Sequence, residues 1–362
     1  MTTVMTTPAT GGLVQTATAP RLQKQEKLSV HGLVAERDLT RGDVALIFQT
    51  ARQVKAAPRL FARSLAGKQL ALIFEKPSLR TRVTFEVGMT SMGGFAVYLD
   101  HTKPRLGERE SIADVARNLE RWVDGVAART FSQAAVEELA ANASIPVINA
   151  LTDLLHPCQA LADFFTLSEK FGGLAGLKLA YIGDGNNMCH SLMMVGAKLG
   201  VSVSVATPAG FEPKAEVVDE AKAAARCTGA KIQLFRQSLE AAAGAHVIYT
   251  DTWVSMGQEF AAHLRSQIFA PYQVNHTVMD AADPGAIFMH CLPAYRGKEV
   301  AEEVIDSPCS VVYDQAENRL HVQKALMLLL MGNNEKWGNG KHRLSAMSAQ
   351  VSASAQHATA VC

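Results

Sequence analysis

Apolar residues along this chain gather in short runs, separated by longer stretches in which they recur every three or four positions. The runs fall at residues 70–74, 95–99, 125–128 and 146–149, then at 177–182, 201–206, 231–235, 246–250, 286–290 and 310–313. Short continuous apolar runs bounded by turn residues predict buried strands, and the amphipathic stretches between them predict helices. Strands alternating with helices in this way predict parallel sheets covered on both faces. The two series, joined by a long helical segment at 157–171, predict an α/β protein of two doubly wound domains, each a parallel sheet flanked by helices. The first domain is expected to take residues 27–155 together with a C-terminal helix at 316–332. The second is expected over 156–315, with a disordered leader at 1–26 and a disordered tail at 333–362.

Composition narrows the partners. The 362 residues are 48% hydrophobic, enough for two cores. A net charge of +1 leaves no basic face for nucleic acid. No apolar run approaches the ~18 residues that a membrane-spanning helix needs. The six cysteines (158, 189, 227, 291, 309 and 362) form no C-x-x-C pair and no zinc-like spacing. Nothing resembles a secretory signal, so the expectation is reduced thiols in the cytoplasm. The first 20 residues carry seven threonines and no charge, whereas an organellar import peptide would be Arg-rich, which leaves import as the second reading.

In open α/β sheets, ligands bind at the carboxyl ends of the strands. The stretch Phe74-Glu75-Lys76-Pro77-Ser78-Leu79-Arg80-Thr81-Arg82 stands at such an end. Ser78 occupies the start of a helix, where free N–H groups, a hydroxyl cap and the helix dipole converge with Arg80 and Arg82. That charge density suits a phosphate dianion better than a carboxylate. Arg129 is a lone charge ending the third strand. His156-Pro157-Cys158-Gln159 places an imidazole and an amide one helical turn apart, a pair able to grip a carbamoyl group or merely to cap a helix. Gly183-Asp184-Gly185-Asn186-Asn187 lacks the third glycine of a dinucleotide loop, and the strand after it ends in no acidic residue, so no nicotinamide cofactor is expected. Asn187 could still bind a carboxylate there. In Asp251-Thr252-Trp253-Val254-Ser255-Met256-Gly257, Asp251 could pair with an ammonium while Ser255 and Met256 hold a carboxylate, the opposed partners of an amino acid. His290-Cys291-Leu292-Pro293 predicts an extended or cis bend, with Cys291 either facing the cleft or serving as a small buried hydrophobe.

S-x-R-T-R, H-P-C-Q, D-x-W-x-S-M-G and H-C-L-P, in this order, resemble the aspartate/ornithine carbamoyltransferase family over residues 27–332, and within it the ornithine branch. The resemblance implies transfer of the carbamoyl group of carbamoyl phosphate to the δ-amine of L-ornithine, by a trimer and without a cofactor or metal. It implies that Ser78, Leu79, Arg80 and Thr81 hold the phosphate, Leu79 through its N–H. Arg129, His156 and Gln159 would bind the carbamoyl end, Arg319 would reach in from the last helix, and Cys291 and Leu292 would line the reaction centre. Cys291 would be the proton acceptor. Asn187, Asp251, Ser255 and Met256 would bind ornithine, and Arg105, from the loop at 101–110, would enter a neighbouring subunit's site. Leu79 departs from the family, which usually has Thr there. The alternatives are another amine such as putrescine, or a non-catalytic binding protein on the same fold.

Overall fold

A computed structural model of the chain describes residues 27–254 and 262–332. The first sheet is built from β1 (Gln69–Phe74), β2 (Phe95–Asp100), β3 (Gly125–Arg129) and β4 (Val147–Leu151), in the order β2-β1-β3-β4. Helix α1 (Arg41–Ala56) precedes the sheet, and its crossover helices are α2 (Leu79–Ser91), α3 (Ile112–Trp122) and α4 (Gln133–Asn142). Helix α5 (Pro157–Phe171) leads to the second sheet: β5 (Lys178–Ile182), β6 (Ser202–Ala206), β7 (Ile232–Phe235), β8 (Val247–Thr250) and β9 (Ile287–His290), ordered β7-β6-β5-β8-β9. Around it lie α6 (Asn187–Leu199), α7 (Ala215–Arg226), α8 (Ser238–Ala242), α9 (Ala262–Phe269), α10 (His276–Asp280) and α11 (Glu302–Ile305); α12 (Val312–Met331) ends the described chain. All ladder pairs are parallel, and strands β1, β3, β4 and β8 are buried almost throughout, as sheets covered on both faces require.

Local chemistry starts and stops these helices. Thr40 and Asp43 form a reciprocal capping box at α1, and Ser78, Ser111 and Ser132 cap α2, α3 and α4. Pro157 occupies the first position of α5, and Gly172 ends it with φ +72°.

Nine of the ten expected strands form, with ends within two residues of the sequence reading. The run at 310–313 does not. Ser310 makes a single parallel bridge to Phe288, Val311 flanks the helix, and Val312 already begins α12. The apolar residues there serve the helix's buried start, so the last helix begins four residues earlier than its periodicity predicted. This helix packs against α1, α2 and α5 and reaches β9, which brings Arg319 to the junction of the two sheets.

Candidate active site

The carboxyl ends of both sheets border one cleft of about 620 Å³, lined from β1, β3 and β4 on one side and β5, β8 and β9 on the other. At its cationic end, the Ser78 hydroxyl accepts from the Thr81 N–H at 3.3 Å and donates to Thr81 Oγ1 at 2.9 Å. Thr81 Oγ1 also accepts from Arg319 Nη2 at 2.6 Å, with Arg129 Nη1 at 3.5 Å. Arg319 binds Gln159 Oε1 through Nη1 at 2.8 Å and stands 3.5 Å from His156 Nε2. Gln159 in turn donates to Asp163 at 2.7 Å, a carboxylate that also accepts from Gln315 and Tyr249.

Crowding two buried guanidiniums, Arg129 and Arg319, beside the half-buried Arg80 has electrostatic consequences. Burial, reinforced by Arg319 and Arg80, pulls Arg129 down to about 9. Burial and the same three arginines hold His156 well below the usual imidazole range, so its ring is neutral. Arg129 Nε, Arg319 Nε and His156 Nδ1 are buried without hydrogen-bond partners among the described residues. A dense, partly unsatisfied set of donors at a helix N-terminus is a site for a multiply charged oxyanion.

Arg82 is not part of that set. It bonds Glu86 one turn along α2 at 2.9 Å and lies 3.9 Å over the Tyr98 ring, because helical rotation turns it away from Arg80. Arg80 does line the cleft, as does Leu79, whose side chain is 73% exposed while its N–H stays at the helix start. Arg105 stacks 4.1 Å from the Phe131 ring and is absent from this chain's own cleft wall. Lys76, paired with Asp153 and 4.3 Å over the same ring, lines the cleft, a place its motif did not assign it.

The opposite end is acidic. Asp251, after β8, accepts from Asn186 Nδ2 at 2.8 Å, from the Thr252 N–H at 2.8 Å and from the Cys291 thiol at 3.1 Å. Burial and the neighbouring carboxylate of Asp251 push the Cys291 thiol well above its ordinary range, so it is a neutral donor here. Asn187 donates to the Thr152 carbonyl at 2.6 Å and faces the cleft. Ser255 and Met256 lie outside the described residues.

Sequence reasoning missed several supports. Asn186, not only its neighbour Asn187, matters: it caps α6, accepts from the Tyr181 hydroxyl at 3.1 Å and holds Asp251. Gly185 allows close approach, but of the protein's own backbone: a Cβ there would lie 2.2 Å from Pro213 N and 2.4 Å from the Glu212 carbonyl carbon. The Leu292–Pro293 bond is cis, and Leu292 adopts φ +58° with its N–H on His290 Nδ1 at 2.8 Å. The other ring nitrogen of His290 faces Glu299 at 3.3 Å, and Glu299 also accepts from the Tyr295 N–H at 2.6 Å. A buried ion pair, Asp184 with Arg265, closes another part of the wall. No spacing signal links residues this far apart in the chain. Asp251, His290 and Cys291 do present metal-ligand atoms within 4.8 Å of one another. Internal contacts already use the thiol with the carboxylate and His290 Nδ1 with the Leu292 N–H.

Comparison with known proteins agrees with this geometry. Residues 32–169 match the family model described as aspartate/ornithine carbamoyltransferase, carbamoyl-P binding domain. Residues 175–330 match the Asp/Orn binding domain of the same family. An ornithine carbamoyltransferase of Thermococcus kodakarensis is 52% identical over 298 residues, covering 82% of this chain and 95% of that protein. The solved ornithine carbamoyltransferase of Pyrococcus furiosus superposes with a TM-score of 0.81 at 50% identity, covering 84% of this chain and 98% of that one. The enzyme of Giardia lamblia does so at 0.77 and 36%, covering 85% and 100%. The chain therefore belongs to the aspartate/ornithine carbamoyltransferase family.

Proposed function

We propose that this cleft transfers the carbamoyl group of carbamoyl phosphate to the δ-amine of L-ornithine, giving L-citrulline and phosphate. The observation that carries the reading is a cluster of buried arginines at the α2 N-terminus facing the Asp251–Cys291 pair across one cleft. The phosphate sits against Ser78, the Leu79 N–H, Arg80, Thr81 and Arg319. The carbamoyl oxygen takes hydrogen bonds from Arg129 and neutral His156, which strengthen as negative charge develops there. Gln159 Oε1 spends one lone pair on Arg319 and offers the second to the carbamoyl NH2. Ornithine places its α-ammonium on Asp251 and its α-carboxylate on Asn187 and the Ser255–Met256 segment.

An amine of this kind has a reference pKa of ~10.4 and must lose a proton to attack. A thiol that is already protonated and donating to Asp251 does not act as a thiolate base. Cys291 serves instead as a relay, passing its proton to Asp251 as its sulfur takes one from the amine. The neutral amine nitrogen bonds the carbamoyl carbon, and the phosphate oxygen departs with the bonding pair toward Arg80 and Arg319, taking the nitrogen's second proton to leave as hydrogen phosphate. The arginines supply the positive charge that phosphoryl chemistry often takes from a metal, and no cofactor enters this scheme.

The domain division follows residues 27–155 with 316–332, then 156–315; its support is the packing of α12 against α1 and α2. The assembly proposed is a trimer in the cytoplasm. Leu79, Val83 and Val87 form an exposed apolar line on α2, and Phe95 and Val97 extend it along edge strand β2. In a trimer, Arg105 would serve the neighbouring subunit's cleft. The functional test offers ornithine, putrescine, acetylornithine and aspartate in parallel with carbamoyl phosphate. Citrulline from ornithine alone is the expected result. Equal carbamoylation of putrescine would transfer the assignment to another amine, and no carbamoylated product from any of the four would leave only binding.

A further inference from the structure

Outside the cleft wall lies a carboxylate that the proposed reaction does not touch. Asp163, one helical turn beyond Gln159 on α5, is fully buried. Its Oδ1 accepts from Gln159 Nε2 and from Gln315 Nε2, both at 2.7 Å, and its Oδ2 accepts from the Tyr249 hydroxyl at 2.9 Å. Donors from α5, α12 and β8 thus converge on one acceptor-only group, as a buried carboxylate requires. Gln315 ties the cluster further: it also donates to the Tyr249 oxygen at 3.1 Å and accepts from the His290 N–H at 3.1 Å.

The polarity of this cluster reaches the cleft through a single amide. Gln159 gives its NH2 to Asp163 and its oxygen to Arg319 Nη1 at 2.8 Å, while Arg319 Nη2 donates to Thr81 Oγ1 at 2.6 Å. A guanidinium only donates and a carboxylate only accepts, so the amide between them has a single satisfied orientation. Both terminal nitrogens of Arg319 therefore rest on neutral oxygens, and the negative charge that orders them stands behind Gln159. We propose that Asp163 is a positioning residue for Arg319: through Gln159 it aims the guanidinium at the phosphate without neutralising it. A carboxylate bonded directly to Arg319 would hold it firmly but would compete with the anion for its charge. Without the charged acceptor, the buried Gln159 NH2 is short of a partner, and the amide turns to find one at the expense of its bond to Arg319. The inference rests on the reading that Arg319 holds the phosphate of carbamoyl phosphate.

Calorimetry of inorganic phosphate binding tests this in wild type, Asp163→Asn, Gln159→Ala and the double variant. Working at pH ~8 stays above the value of about 7 to which burial raises Asp163, so its carboxylate is mostly ionised. Charge and positioning predict opposite signs. Removing a buried negative charge near an anion site should by itself tighten phosphate. Asparagine, however, can turn its oxygen to Gln159 only by setting its NH2 against Tyr249, whose proton then lacks its acceptor. The expected result is phosphate binding about three- to tenfold weaker in Asp163→Asn, the worth of one hydrogen bond. In the Gln159→Ala background the same replacement should add no further loss. Unchanged or tighter phosphate binding in Asp163→Asn would overturn the proposal. So would an equal loss with Gln159 already removed, because that is general loosening. Should Asp163→Asn not fold, Tyr249→Phe removes the donor to Oδ2 and should weaken phosphate about two- to threefold, an unchanged constant again overturning the proposal. Arg319→Ala binding phosphate as tightly as wild type would instead be the failure of the phosphate reading, and the proposal would fall with it.

Discussion

At the scale of single residues, the cleft divides its work by charge and hydration. Arg80 lines the cationic end, half-buried, and that partial burial holds it below its ordinary range. Arg80→Ala is expected to cost on the order of 2–3 kcal/mol in carbamoyl phosphate binding, the worth of a charged hydrogen bond. Steady-state kinetics check this as a steep rise in KM and weaker inhibition by free phosphate. Unchanged values would remove Arg80 from the phosphate site. At the other end, Asp251 joins thiol and amide in one network. Asp251→Asn should cripple ornithine turnover while calorimetry finds carbamoyl phosphate binding nearly intact. The carboxylate is also one cause of the raised thiol pKa, so the same variant should alkylate faster at Cys291 near neutral pH. A rate equal to wild type would mean that Asp251 does not govern the thiol.

Elements carry these residues by their ends. Ser78 and Asn186 both cap helices that begin at strand carboxyl ends, so the two poles of the cleft are helix starts. Helix α12 differs: it contributes Arg319 from its middle, held between Thr81 and Gln159. The loop between β5 and α6 depends on Gly185, where the 211–213 backbone leaves no space for a Cβ. Because backbone rather than a flexible side chain must yield there, Gly185→Ala should destabilise the fold by roughly 2–3 kcal/mol and shift Asn186 from Asp251. Urea unfolding and the ornithine KM should change together. A stable variant with normal ornithine use would show that the loop relaxes freely.

On the scale of the whole molecule, parallel sheets from both halves turn their carboxyl ends toward one cleft, so neither half alone makes its wall. The exposed apolar line on α2 and β2 has no cover within the described chain. Sedimentation should therefore give three times the chain mass, and Phe95→Glu should shift it toward the monomer. Wild type sedimenting as a monomer would remove the trimer and, with it, the proposed passage of Arg105 between subunits.

The alternation of apolar runs and helical periods determined the α/β class and nine strands, because burial on both faces imposes a continuous apolar run whatever the partners are. Local motifs also brought Ser78, Arg80, His156, Asp251 and Cys291 to the cleft, since each stands just beyond the carboxyl end of a strand. Run length alone misassigned residues 310–313, where an apolar helix start and a buried strand look alike. Tertiary structure alone decided that Arg82 turns away while Lys76 faces in, that Asn186 holds Asp251, and that Glu299 lies beside His290. It also set the neutral state of Cys291 and the burial of Asp163. These last properties depend on which distant residues exclude water and which charges they bring near, and no interval along the chain encodes that.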